Sequence, residues 1–309
     1  MMKRGSVLLF TSEVFGFTVF ALAMYVVLLL CAGLLPSSLR PNLILNEFPV
    51  GFSSKRFQEA ESENKVDIVV LGPSRAYRGY DPRNFENNGI SLFNLGSTAQ
   101  TPIQSEVLAS RFLDKLSPEL VLLDVSSHSF SSDGIESTID LFSSTPIDKY
   151  GIRLLRDQPN LIVFNAITYY GVRQLLGLKS NSKNWIETDR YIENGFVEKA
   201  LVPYSNTIEK LPTGSWNENQ LQGFRRLIKN IKSSGADVLL IHSPLPKVPS
   251  DKIEFDSLMK SYGTYLDYSN LEGITDSLDY YDLLHLNQSG VNKFNTALVQ
   301  DLISRGHLK

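Results

Sequence analysis

The chain carries one cysteine, Cys31, in 309 residues. That excludes an intrachain disulfide and any cysteine-based metal cluster. Charge of either sign is also in short supply as an excess. Thirty Lys and Arg stand against 33 Asp and Glu, for a net charge of −3. The basic residues are dispersed and form no stripe, which excludes the electrostatic footprint of a nucleic-acid binder. Internal repeats and low-complexity tracts are missing. So is any second membrane-length apolar run after residue 36. A hydrophobic content of 42% with 20% charged residues excludes long disorder and fits a globular domain.

What the chain does have begins at its N-terminus. Ser6 to Leu35 is apolar apart from Glu13. As a helix, Val14 to Leu35 extends roughly 33 Å at about 1.5 Å per residue, enough for a bilayer core. Lys3 and Arg4 precede the run and Arg40 is the first charge after it. This bias places the N-terminus in the cytoplasm and the remainder outside, periplasmic or extracellular. A cleaved signal peptide is the competing reading, although the run exceeds the usual secretory apolar core. The expected organisation is an anchor within residues 1–35 that spans at 14–35, a linker over 36–62 with no sustained period, and one domain over 63–309.

Within that domain, short apolar runs recur at 66–71, 91–95, 120–125 and 236–242, with a weaker one at 265–268. Runs without polar alternation fit strands buried on both faces of a parallel sheet. Helical periods lie between them. Ile103, Val107, Leu108, Phe112 and Leu116 form one face; Leu221, Phe224, Leu227, Ile228 and Ile231 form another, stopped by Gly235. The last helix starts at the N-cap Asn287 and carries Val291, Phe294, Leu298 and Leu302. The pattern predicts a three-layer α/β/α, doubly wound parallel sheet. Residues 131–212 break the rhythm. They are rich in aromatics, including Phe142, Tyr150, Phe164, Tyr169, Tyr170, Trp185 and Tyr191, and read as a lid-like insertion.

The first strand runs into Gly72-Pro73-Ser74, which places a hydroxyl at the carboxyl end of a strand, where open α/β sheets bind ligands. Near the other end of the chain stands Asp282-Leu-Leu-His285. An acyl-transfer serine needs a base within hydrogen-bond reach, and the base needs an acceptor that fixes its tautomer. His285 suits the first role and Asp282, three residues earlier on the same loop, the second. No metal and no cofactor is called for. Asp124 and His128, four apart, lack a third ligand, and His242 at a strand end reads as a satisfied buried polar group.

The residues quoted resemble the SGNH, or GDSL-type, hydrolase superfamily over roughly residues 65–130 and 235–305. IVVLGPSRAYRGYDP is similar to its nucleophile block, with Gly-Pro-Ser in place of Gly-Asp-Ser. DLLHLNQSG is similar to its Asp-x-x-His block, and Phe93-Asn94-Leu95-Gly96-Ser97 to its second block. The resemblance implies catalysis by Ser74, Asp282 and His285, and an oxyanion hole from the amides of Ser74 and Gly96. The third block departs from the pattern. Leu123-Asp124-Val125-Ser126-Ser127-His128 lacks the family's oxyanion Asn, leaving Ser126 or Ser127 as substitutes. Losing one such donor typically costs about 10²–10³ in rate.

An N-terminal anchor, Gly-x-Ser-Arg and the missing Asn are similar to a membrane-anchored subgroup of bacterial envelope modification. It includes the alginate O-acetylation proteins and the D-alanyl-lipoteichoic acid transfer protein. That likeness implies a polysaccharide or other envelope polymer as acyl acceptor and a membrane-bound O-acyltransferase as partner. Arg75 and Arg78, beside the serine, read either as a grip on an anionic polymer or as structural ion pairs. Three functions follow as expectations: a serine esterase or O-acyltransferase acting on acyl, chiefly acetyl, groups; an inactive accessory protein using the same cleft; or a phospholipase or lipid thioesterase exploiting the tether.

Overall fold

The computed structural model describes residues 4–36, 39, 49–178, 189–199, 204 and 215–307. Lys3, Arg40 and Trp185, invoked above, lie outside the described residues. Seven strands are described: β1 (Ile68–Leu71), β2 (Leu92–Asn94), β3 (Leu120–Asp124), β4 (Asp189–Ile192), β5 (Phe196–Lys199), β6 (Asp237–His242) and β7 (Tyr265–Asp267). Five of them form one sheet in the order β2-β1-β3-β6-β7, with every neighbouring pair parallel. The order reverses between β1 and β3, the switch point at which doubly wound sheets place their ligands.

Each central strand sends alternate side chains into two apolar layers. Ile68 and Val70 of β1 join Leu120 and Leu122 of β3, Leu239 and Ile241 of β6, and the face of helix Gln288–Ser304 carrying Val291, Phe294, Leu298 and Leu302. Val69 and Leu71 join Val121, Leu123 and Leu240 on the other side, against helices Pro102–Leu116 and Glu218–Ser233. Burial on both faces is why these runs lack alternation in the sequence. The helices start where their caps stand. Thr101 and Gln104 form a capping box ahead of Pro102–Leu116, Asn217 accepts the Asn219 amide, and Asn287 accepts those of Ser289 and Gly290.

The stretch 36–62 holds a helix, Ser53–Ser62, where no period was read. Phe57 and Ala60 are its fully buried apolar residues, too few to register as a repeat. Its Arg56 is buried, donating from Nε to the Gly195 carbonyl at 2.8 Å and from Nη2 to the Gly51 carbonyl at 3.0 Å, with Tyr77 beneath the guanidinium. The long insertion divides in two. Helices Ile135–Ser144, Lys149–Asp157 and Leu161–Leu175 feed Ile139, Phe142, Leu154, Val163 and Ala166 into the second apolar layer. The antiparallel hairpin β4-β5 instead packs against helix Ser74–Gly79. Among the described residues, Leu8–Ala32 is long and apolar enough to cross a membrane.

Candidate active site

The chain leaves β1 through Gly72, whose φ of 150° is unfavourable for other residues and where a Cβ would press on the Asp124 backbone at 2.8 Å. Pro73 then caps a short helix whose first residue is Ser74. This turn lifts Ser74 out of the strand to the rim of the sheet at the switch point.

The loop carrying the second block is built by its own backbone. Tyr280 and Leu286 form an antiparallel bridge, and the Tyr281 amide donates to the His285 carbonyl at 3.2 Å. Inside the loop, Asp282 Oδ1 accepts the amides of Leu284 at 2.7 Å and His285 at 2.8 Å, a side-chain turn that Asp favours. The same carboxylate lies 2.9 and 3.0 Å from His285 Nδ1. The Tyr281 ring stacks on the imidazole, centroids 5.3 Å apart at 6°. His285 is thus held by its partner, its backbone and one flat face, and its Nε2 stands 2.7 Å from Ser74 Oγ. Residues 211 positions apart in sequence meet in a serine–histidine–aspartate constellation.

Burial lowers the His285 pKa below its ordinary value, against the opposing pull of Asp282, and the nearby Arg78 and Arg75 cations lower it further. Burial also opposes the charge on Asp282. The hydrogen bonds from His285 and the two amides outweigh it and hold the carboxyl below the usual range. At neutral pH the pair is a neutral imidazole beside a carboxylate, the state in which Nε2 can accept a proton.

Other expected members are placed differently. The Gly96 amide donates to Asn94 Oδ1 at 2.9 Å, and Asn94 Nδ2 donates to the Ala76 carbonyl at 2.7 Å. The Gly96 donor is therefore engaged in tying the second block to the serine helix. Ser127 Oγ bonds to Asp251 and accepts from Trp216 Nε1, while Ser126 and Ser129 bond to each other at 2.9 Å. The Gly96 amide and the Ser126 and Ser127 hydroxyls are thus each engaged by a partner of their own.

Arg75 and Arg78 are both ion-paired. Arg75 Nη2 lies 2.8 Å from Asp124 Oδ1 and donates to the Val125 carbonyl at 2.9 Å, while Tyr80 donates to Asp124 Oδ2 at 3.0 Å. Arg78 Nη2 lies 2.6 Å from Asp189 Oδ2, a carboxylate also reached by Lys199 at 3.0 Å. Both arginines nonetheless line the cleft beside His285, with Gly79, Ser243, Pro244, Leu284 and Leu286. Asp189 and Tyr281 were not found by sequence reasoning. Both earn their places by packing, and no motif marks them. Asp124 is occupied by Arg75 and Tyr80, and His128 is exposed. His242 is buried, its Nδ1 3.1 Å from the Ser243 carbonyl.

No family model and no curated protein matches this chain. Among solved structures the chain is similar to a GDSL-like lipase from Bacteroides thetaiotaomicron, at 12% identity over 82% of this chain and 98% of the lipase, TM-score 0.43. It is also similar to a family 3 carbohydrate esterase from Clostridium thermocellum, at 11% identity over 78% and 96% of the two chains, TM-score 0.37. A two-domain esterase active on acetylated mannans is similar at 13% identity over 86% of this chain and 54% of that one, TM-score 0.34.

Proposed function

We propose that this chain is a membrane-anchored serine enzyme of the SGNH type that moves acyl groups, chiefly acetyl, on a cell-surface or secreted polysaccharide. The observation that carries the reading is the relay from Asp282 through His285 to Ser74, with 2.9 Å and 2.7 Å between successive partners. Ser74 Oγ attacks the ester carbonyl as His285 Nε2 takes its proton, and Asp282 stabilises the imidazolium that forms. The proton then passes to the departing alkoxide, leaving an acyl-serine. His285 next takes the acceptor's proton as the acceptor attacks the acyl carbonyl, and passes it to the departing Ser74 Oγ as the acyl–serine bond breaks, which restores the enzyme. With water as acceptor the enzyme is an esterase; with a sugar hydroxyl it is an O-acyltransferase. The anchor keeps the N-terminus cytoplasmic and the domain outside, within reach of an envelope polymer and of a membrane-bound O-acyltransferase that supplies the acyl group.

A second reading, an accessory protein without turnover, draws support from the engaged Gly96, Ser126 and Ser127 donors. Reaction of the purified chain with a fluorophosphonate probe separates the two. The enzyme reading expects labelling that disappears in Ser74→Ala and in His285→Ala. A folded wild-type protein that resists the probe removes the enzyme reading and leaves the accessory one.

A further inference from the structure

The segment Leu161–Leu178 reads LIVFNAITYYGVRQLLGL, eighteen residues with one charge, Arg173. The large apolar side chains of such a helix belong either in a protein core or in lipid. Helix Leu161–Leu175 satisfies only half of that demand, through Val163, Ala166, Tyr169 and Tyr170. Its other side leaves Leu161 70%, Phe164 45% and Leu175 88% exposed. With Thr168 these positions are spaced by three, four and seven, so they form one stripe. The hydroxyl of Thr168 is satisfied by the Phe164 carbonyl at 2.8 Å, so the stripe offers a partner no free polar group.

The stripe runs beside the seam between this helix and the anchor. Tyr25, Leu29 and Gly33 repeat every four residues and face the helix. Tyr25 bonds to Asn165, Leu29 is buried in the same apolar cluster as Ala166 and Tyr169, and a Cβ on Gly33 would overlap the Tyr169 ring. Asn165 follows Phe164 and Tyr169 follows Thr168, so the seam lies about 100° round the helix from the exposed stripe. The seam extends along the anchor for roughly 12 Å, from Tyr25 to Gly33. A bilayer core takes about 20 helical residues. Counted from Leu8, it ends near Val27; counted from Val14, it ends near Gly33. In either register the seam begins at or inside the outer boundary of the hydrocarbon.

From this continuity we propose that helix Leu161–Leu175 is a second membrane contact, lying in the outer interface with Leu161, Phe164 and Leu175 in the lipid. The domain then does not swing on a tether. It sits on the bilayer in one orientation, held by the seam and the apolar stripe together. The inference rests on Leu8–Ala32 being a retained membrane span.

The test uses the full chain with Cys31→Ser, reconstituted in phosphatidylcholine–phosphatidylglycerol vesicles. Single spin labels are placed through Leu161→Cys, Phe164→Cys and Leu175→Cys, with Phe20→Cys in the anchor and Lys229→Cys on a distant exposed helix face as references. Collision with oxygen, which concentrates in lipid, is compared with collision with a water-soluble nickel chelate. The expected result is oxygen access exceeding chelate access at the three stripe positions, of the same sign as Phe20 and opposite to Lys229. Chelate access equal to that at Lys229 overturns the proposal while leaving the span intact. Shielding from both reagents overturns it in favour of a protein partner. A purified chain whose mass lacks the first thirty or so residues overturns the span and the proposal with it.

Discussion

The guanidinium of Arg75, the residue directly after the candidate nucleophile, lies 2.8 Å from the Asp124 carboxylate, and their side chains are 6% and 0% exposed. The pair joins the turn after β1 to the end of β3. Removing one member leaves the other charged and buried, which typically costs about 3–5 kcal/mol. Asp124→Ala is therefore expected to lower the unfolding free energy by about that amount in urea titration, whereas Ser74→Ala, at a partly exposed position, shifts it by less than about 1 kcal/mol. Equal small effects from both would show that the pair is not structural.

Arg78 and Asp189 make the corresponding link between the serine helix and the hairpin. Asp189→Asn is expected to free the hairpin from the site rather than unfold the domain, because β4-β5 is outside the main sheet. Hydrogen exchange reads this directly, as faster exchange of the amides over 189–199 with the amides of β1 and β3 unchanged. Fluorophosphonate labelling should slow in parallel. Unaltered exchange in the hairpin would mean that Arg83 and Glu198, which also pair there, suffice to hold it.

The pH dependence of labelling follows from the lowered pKa of His285. The base works in its neutral form, and a depressed pKa keeps it neutral to lower pH. Reactivity should therefore be full at pH 7 and fall as pH drops through a midpoint below the ordinary value of about 6.5. A midpoint above that value would contradict burial as the dominant influence on the imidazole.

Stability has its own pH dependence through His242, which burial, with help from Arg75 and Lys252, pushes down to about 3. Its folded pKa lies below the unfolded one, so its contribution is complete above about pH 6.5 and is lost as pH falls toward 3. In that window the unfolded chain binds a proton that the folded one refuses, a slope of up to about 1.4 kcal/mol per pH unit. His242→Gln should flatten the wild-type decline between pH 6.5 and 4.5 in urea titrations. Parallel profiles would assign the acid sensitivity to other groups.

Much of the scaffold was legible because its signals are local. The strand runs of β1, β3 and β6 are continuous in sequence, as are the caps at Asn217 and Asn287 and the Asp-x-x-His loop. The strand and helix ends fell within one or two residues of the expected places. Helix Ser53–Ser62 was not legible, since two buried apolar residues make no period, and its ties are distant in sequence: Arg56 reaches the Gly195 carbonyl 139 positions away and Ser53 the Asp140 carboxylate 87 away.

By itself, then, the sequence determined the five strands of the main sheet and the helices Pro102–Leu116, Glu218–Ser233 and Gln288–Ser304, and placed a serine and an Asp-x-x-His pair at the ends of two of these elements. Periodicity, capping and turn chemistry act over a few residues and can be read from a few residues. The tertiary structure alone decided what the charged and polar groups do. Arg75 and Arg78 found carboxylates 49 and 111 positions away, Ser127 found Asp251 at 124, and the Gly96 and Ser126 groups found partners inside their own loops. Helix Leu161–Leu175 came to pack against the anchor. A buried polar group must pair with whatever the packed fold brings within about 3 Å, and that neighbour is set by the whole chain.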